Sequence, residues 1–370
     1  MKLTVCGFGG AGCRIADRLV AADGDRGRSF VVDSVAIDTD QRDLSALNGI
    51  PEDNRHLYGV IEAEGEGADG DRSVGAAAAK NGATEITNAV DDAVSSQADG
   101  ILCCVGLAGG SGATVLPRVA DELQRVYDIP VYGLGILPAV DAPSGEDEIT
   151  TPARNTGRAL ADIGGSTDAL LLFDNELWLA SGDSISDPDV QADLNETLTT
   201  RVAALFAAGE GEHDRQIAER VVDASEVQNT FAAGGIATIG YASQTIERPT
   251  ESRFGLGILE EEGEIDDTTA IKAIETTSRR AVRGKLTAEI DRESVTRGLL
   301  IVGGPPEWLN RRAVSDARSW LAQETGSVEI RGGDMPEPEG DSITMIALLT
   351  GVGSCPRATA FHSAADRGSR

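Results

Sequence analysis

Gly106-Leu107-Ala108-Gly109-Gly110-Ser111-Gly112 is the stretch whose reading decides the fold. An apolar run at residues 101–105 precedes it, and Val115, Leu116, Val119, Ala120 and Leu123 follow at helical spacing. The order is strand, glycine loop, helix. A loop almost bare of side chains at a helix N-terminus brings several backbone N–H groups within reach of a phosphate, where the helix dipole also favours negative charge. Read alone, such a loop also serves as a tight turn. The start of the chain supplies a second one. Residues 2–6 read as a buried strand, and Gly7-Phe8-Gly9-Gly10-Ala11-Gly12-Cys13-Arg14 opens a helix with Ile15, Leu19 and Val20 on one face. Gly7, Gly9 and Gly12 satisfy G-x-G-x-x-G in its required strand-to-helix context. By itself that motif points to NAD or FAD, with Asp33 or Asp38 as the acid closing the second strand. It does not call for a further, glycine-richer loop downstream.

Outward from the loops, residues 74–80 and 86–94 read as helices, and residues 98–105, 131–137 and 169–173 as strands. Alternation of this kind argues for an α/β fold with a Rossmann-like, doubly wound parallel sheet. Residues 62–71 carry no apolar periodicity and read as an ordinary exposed loop. The longest helix signal has Asp187 as N-cap, Pro188 at its first position, an apolar stripe from Val190 to Phe206 and Gly209 as terminator. A smaller α+β half follows, with strands at residues 235–242, 298–302 and 342–349 and helices at 269–282 and 313–323. The expected division is a first domain over residues 1–185, a central helix over 186–209, a second domain over 210–355 and a short loose tail over 356–370.

Composition narrows the setting. The 370 residues are 41% hydrophobic, as in a globular protein, and carry a formal charge of -29 from 61 Asp and Glu against 32 Lys and Arg. The carboxylates are spread along the whole chain, which describes a solvated acidic surface suited to a salt-rich cytoplasm. Such a surface disfavours nucleic acid and anionic lipid. The five cysteines show no C-x-x-C pairing and fit buried thiols in a reducing compartment, while the three histidines have no zinc-ligand spacing. No apolar run approaches the roughly 18 residues of a membrane span, and the first residues lack a signal-peptide core. A cytoplasmic protein with no membrane insertion is expected.

Together the two glycine loops, the long helix and Asp223-Ala224-Ser225-Glu226 resemble the tubulin/FtsZ superfamily, most closely its archaeal CetZ branch. Residues 7–14 are similar to the family's opening G-F-G-Q-A-G-G-K, and residues 108–114 to its signature G-G-G-T-G-S-G. Residues 130–138, Phe173-Asp174-Asn175, 205–210, 222–227 and 328–334 continue the likeness in the family's order. The resemblance implies a GTPase domain, a core helix and an activation domain, with GTP or GDP and Mg2+ held between protomers of a head-to-tail filament that helps control cell shape. It assigns the phosphates to the backbone of Gly10, Ala11, Gly12, Cys13 and Arg14 and of Ala108, Gly109, Gly110, Ser111 and Gly112. It places Asp40 near Mg2+ through water, and Glu148 on the ribose with Glu146 as a rival. Asn175 and Asn195 match the amides that read guanine, and Gln191 stands where relatives place a ring that stacks on the base. Asp223 and Glu226 match the carboxylates that position the attacking water in the neighbouring subunit; the same four residues also read as a helix-capping box. Some positions depart from the pattern. Ala108 and Thr114 replace glycines, Ala113 replaces a hydroxyl residue and Gly10 replaces glutamine. A Cβ where positive φ or close phosphate approach is needed weakens binding. That motivates an alternative: a slow or inactive structural paralogue that co-assembles with an active tubulin-like protein.

Overall fold

Every residue of strand β1, Leu3–Phe8, is buried, as happens when a parallel sheet is covered on both faces. Side chains alternate along it: Leu3 and Val5 enter one core, Cys6 and Phe8 the other. The computed structural model describes residues 1–25, 29–141, 149–210, 222–246 and 267–367. Its further strands are β2 Val31–Asp38, β3 Arg55–Leu57, β4 Gly100–Gly106, β5 Val131–Leu137, β6 Ala169–Asp174, β7 Ile236–Thr245, β8 Arg297–Gly304, β9 Glu329–Pro336 and β10 Ser342–Val352. They form one sheet in the order β3-β2-β1-β4-β5-β6-β7-β10-β8-β9.

Strands β1 to β6 are all parallel, in the 3-2-1-4-5-6 order of a doubly wound dinucleotide-binding sheet. β6 meets β7 over only two residue pairs, Leu170 with Ile236 and Leu171 with Ala237. Beyond that seam the sheet is mixed, because β10 runs antiparallel to both β7 and β8. The α/β class and the doubly wound first half agree with the sequence reading. Strand β9 did not emerge from it: Glu329, Ile330 and Arg331 do not alternate cleanly, and the strand exists by pairing with β8.

One core lies against helices Gly9–Asp25 and Pro188–Ala207, the other against helices Gly112–Val126, Thr151–Ser166 and Asp267–Arg283. Pro188–Ala207 is the long central helix, started as expected by Asp187, whose side chain accepts from the Asp189 N–H at 2.9 Å. At 1.5 Å rise per residue its 20 residues span about 30 Å. All five cysteines are free and buried.

The loose tail expected over residues 356–370 is a helix over Pro356–Arg367. Ala358, Phe361, Ala364 and Ala365 are buried, at the i, i+3, i+4 spacing of one helical face. That face packs closely on helix Thr151–Ser166, because a Cβ at Gly157 would stand 2.1 Å from the Phe361 carbonyl oxygen. Arg357 also reaches back, donating through Nη2 to the Pro138 and Val140 carbonyls at 3.0 Å. Its Nε lies 2.8 Å from Asp174 Oδ2, an ion pair whose angle falls outside hydrogen-bond geometry. A short apolar stripe in a chain end is too weak a signal to separate from a frayed tail; the partner surface supplies the difference. Phe361→Ala is expected to lower stability by about 3–5 kcal/mol. Urea denaturation of the variant beside the parent chain measures it, and a detached tail would leave the midpoint unchanged.

Candidate functional site

Parallel strands of a doubly wound sheet end together, and ligands bind in the crevice at their carboxyl ends. Phe8, Asp38, Gly106 and Pro138 mark those ends here, and with both glycine loops they line a cleft of about 870 Å³, the size of a small-molecule site. Gly10, Ala11, Arg14, Ala108, Gly109, Gly110, Ser111, Gly112, Asp40 and Asn175, all singled out in the sequence, line it. Gly12 and Cys13 do not. A Cβ at Gly12 would stand 2.1 Å from the Cys104 carbonyl oxygen, so this glycine lets the first helix sit against β4. Cys13 Sγ donates weakly to the Gly7 and Ile37 carbonyls at 3.4 and 3.6 Å, and burial pushes its thiol pKa well above the ordinary range. Neither Gln191 nor Asn195 lines the cleft. Gln191 Nε2 donates to the Ile185 carbonyl at 2.7 Å, and it is Ile185 that lines the cleft beside Asn175. Glu146 and Glu148 lie outside the described residues.

The substituted second loop is not strained. Among the described residues only Glu64 and Asp69 combine a side chain with positive φ, so Ala108, Ala113 and Thr114 all have ordinary backbones. Thr114 adds bonds: its Oγ1 donates to the Gly110 and Ser111 carbonyls, each at 2.7 Å. The glycines answer instead to space. A Cβ at Gly112 would meet the Phe8 carbonyl oxygen at 2.1 Å, and one at Gly110 the Asp71 carbonyl oxygen at 2.8 Å. Gly109 differs, with nothing nearer than the Gly106 carbonyl oxygen at 3.5 Å. Its bare backbone faces the open cleft.

Two side chains hold the walls together. Asn155 Nδ2 donates to the Ala108 carbonyl at 3.0 Å and the Gly70 carbonyl at 2.7 Å. Thr39 Oγ1 lies 2.6 Å from Ser111 Oγ, tying the end of β2 to the second loop. Residues 62–71, read from sequence as an exposed loop, form a wall of the cleft instead. Glu62, Ala63, Glu64, Glu66, Gly67 and Ala68 line it, and backbone bonds from Gln41 to Gly65 and from Gly67 to Thr39 pin the loop against β2. Nothing in its composition signals this, because the pinning groups are backbone.

Sequence reading also passed over Asp43. A Cβ at Gly10 would stand 1.8 Å from Asp43 Oδ2; the space of a side chain at position 10 is filled by Asp43, which pairs with Arg14 at 3.1 Å. Asp38, buried between these groups, donates nothing and accepts through Oδ1 from the Thr39 N–H at 2.7 Å, while Oδ2 has no partner among the described residues. Burial above all raises its pKa to about 7; the Thr39 and Asp40 N–H groups oppose the shift, and the charges of Asp43 and Asp40 add to it.

The sheet order, the paired glycine loops and the cleft at the strand ends are those of the tubulin/FtsZ fold. Residues 2–183 match the Tubulin/FtsZ family GTPase domain, and residues 182–367 match the Tubulin-like CetZ C-terminal domain. The chain is 39% identical over 368 residues to Tubulin-like protein CetZ5 of Haloferax volcanii, covering 99% of this chain and 91% of the relative. It is 37% identical to CetZ1 of the same organism over 362 residues, covering 96% of this chain and 90% of the relative. The solved structure of CetZ1 from Haloferax volcanii as a GDP-bound monomer superposes with a TM-score of 0.85 at 34% identity. That of CetZ2 as a GTPγS-bound protofilament does so at 0.83 and 34%, and each comparison covers 100% of both chains. The chain belongs to the CetZ family of tubulin-like proteins.

Two outcomes follow from this packing. Gly12→Ala pushes backbone against backbone and is expected to cost about 3 kcal/mol or more, whereas Gly10→Ala displaces only the flexible Asp43 carboxylate and costs within about 1 kcal/mol. Chemical denaturation of the two variants gives the comparison. For Asp38 the folded chain keeps a proton that the unfolded chain releases above its ordinary pKa of 3.8. Stability from this group is therefore present below that value and lost as pH rises through the folded pKa of about 7. Asp38→Asn removes the loss, so its melting temperature relative to the parent should climb between about pH 4 and about pH 7 and level off beyond.

Proposed function

We propose that this chain binds GTP in the cleft, hydrolyses it and assembles head-to-tail into cytoplasmic filaments that contribute to cell-shape control. The observation that carries the reading is the cleft itself, with two unstrained glycine loops facing one space of about 870 Å³ and Asn175 lining it. Backbone N–H groups of Gly10, Ala11, Gly109 and Gly110 take the phosphates, where side chains would block approach. Asn175, which lines the cleft, offers a donor and an acceptor to the guanine edge; Asn195, outside the lining, would have to reach the base from the central helix. Ile185 supplies apolar surface to the base in place of the ring that Gln191 lacks. Among the described residues no group of three His, Cys, Asp or Glu side chains could hold a metal ion by itself; Asp38, Asp40 and Asp43 line the cleft singly, so a divalent cation there would take most of its oxygen ligands from nucleotide phosphate and water. Bound Mg2+ would neutralise phosphate charge as the terminal phosphoryl group departs, with Asp40 holding it through water.

Asp223 and Glu226 are proposed to complete catalysis in trans. Their position in their own subunit supports this reading. Asp223 is influenced by the charge of the chain's own amino terminus, and Gln228, in the same helix, donates to the Asp99 carbonyl just ahead of β4. Those are the amino ends of strands whose carboxyl ends form the cleft, and the long helix lies between. Hydrolysis by one copy alone is therefore incomplete, and a neighbour must supply the pair. The capping reading holds: Asp223 Oδ1 accepts from the Glu226 N–H at 3.0 Å and from Ser225 Oγ at 2.6 Å. Led by the Ser225 hydroxyl, these bonds lower the Asp223 pKa and keep it ionised. Glu226 Oε2 pairs with Arg331 at 2.9 Å, so β9 aims the second carboxylate. Exposed Val60 and Ile61 beside the cleft give the neighbour an apolar contact. The ordinary backbone of the altered loop favours an active enzyme over the co-assembling structural paralogue.

Calorimetry at high potassium chloride with Mg2+ tests the binding step: GTP and GDP should bind in preference to ATP and NAD, and loss of that preference defeats the proposal. Phosphate release should rise more steeply than protein concentration. Glu226→Ala should leave GTP binding intact while lowering turnover by about 10²-fold or more; turnover that persists undiminished removes Glu226 from the mechanism.

A further inference from the structure

Four basic side chains fall within residues 279–285: Arg279, Arg280, Arg283 and Lys285, in a chain of net charge -29. All four are exposed. Arg283 donates to Glu324 at 3.0 and 2.7 Å, whereas the side chains of Arg279 and Arg280 have no ion pair or hydrogen bond among the described residues. With Tyr241, Ser243 and Thr276, the three arginines line a groove of about 780 Å³ beside β7, apart from the nucleotide cleft.

Among the described residues, the strand beside them has a largely unpaired edge. β7 pairs with β6 only through Ile236 and Ala237. At Ile239 the edge is used by Thr287, whose N–H donates to the Ile239 carbonyl at 2.9 Å and whose Oγ1 accepts the Ile239 N–H at 3.0 Å. Ile246, of opposite parity, donates instead to Asp341 on the β10 side. Backbone direction alternates along a strand, and the pairing of β7 with β10 keeps regular register from Thr238 to Thr245. The N–H and C=O groups of Tyr241 and Ser243 therefore point away from β10, toward the groove. No described residue bonds to them.

We propose that this groove receives an extended acidic peptide of a partner protein, added as a strand to the β7 edge with its carboxylates on Arg279 and Arg280. Main-chain bonds to an open strand edge supply affinity, and flanking side chains supply specificity. Guanidinium forks suit carboxylates. A nucleic acid would satisfy the arginines but not the strand edge. The proposal is independent of the nucleotide reading.

The test is fluorescence anisotropy with the full chain and a fluorescein-labelled synthetic peptide of alternating glutamate and threonine. Saturable binding that weakens as potassium chloride rises is expected. Arg279→Glu with Arg280→Glu should weaken it by about tenfold or more without changing the melting temperature, since both side chains are exposed and unpaired. A peptide N-methylated at alternate residues should lose affinity to a similar degree, because it cannot bond to the edge. Absent binding, binding indifferent to the charge reversal, or equal binding of the N-methylated peptide each overturns the proposal. So does displacement of the peptide by a single-stranded oligonucleotide at lower concentration.

Discussion

Backbone packed directly against backbone is the constraint on which the rest of this molecule depends. Gly12 lies against Cys104, Gly112 against Phe8 and Gly75 against Gly110, and in each case a single added carbon would come within about 2 Å of a carbonyl oxygen. These contacts draw β1, β4 and the helices that leave them into one corner, and the corner is the cleft. Positive φ contributes far less. Of the glycines in the two loops only Gly9 needs it, so the second loop tolerates Ala108 and Ala113 without strain.

The second organising feature is polarity along the sheet. Parallel strands put every carboxyl end on one side, where the cleft opens, and every amino end on the other, where Asp223 and Glu226 sit beside the chain's own start. The central helix, about 30 Å long, carries Gln191, bonded to cleft-lining Ile185, near one end and Phe206, whose carbonyl accepts from the Met1 amine, near the other. Under the proposed function, a head-to-tail neighbour would bring its own Asp223 and Glu226 to the cleft. β9 serves that arrangement from the second half: Arg331 holds Glu226, and the Asp334 carbonyl accepts the Val222 N–H at 3.3 Å.

Legibility in the sequence followed the range of the interactions. Strand, loop and helix around Gly106–Gly112 could be read because apolar periodicity and glycine content are local, and the N-cap at Asp187 because it acts within one turn. The roles of Asp43, Ile185 and residues 62–71 could not. Asp43 matters only through the gap left by Gly10, Ile185 through the side chain of Gln191, and the loop through backbone bonds to β2. The terminal helix failed to register for the same reason, since Phe361 has meaning only once Gly157 gives it a surface.

By itself the sequence determined the α/β class, the two glycine loops, the long helix and its start, because each rests on periodicity or on the chemistry of adjacent residues. Tertiary structure alone decided which glycines are spatial necessities, which of the carried-over residues reach the cleft, and that Asp38 keeps its proton to about pH 7. Those outcomes depend on atoms brought within a few ångströms across dozens of residues. Close packing and burial set them, and neither exists until the chain has folded.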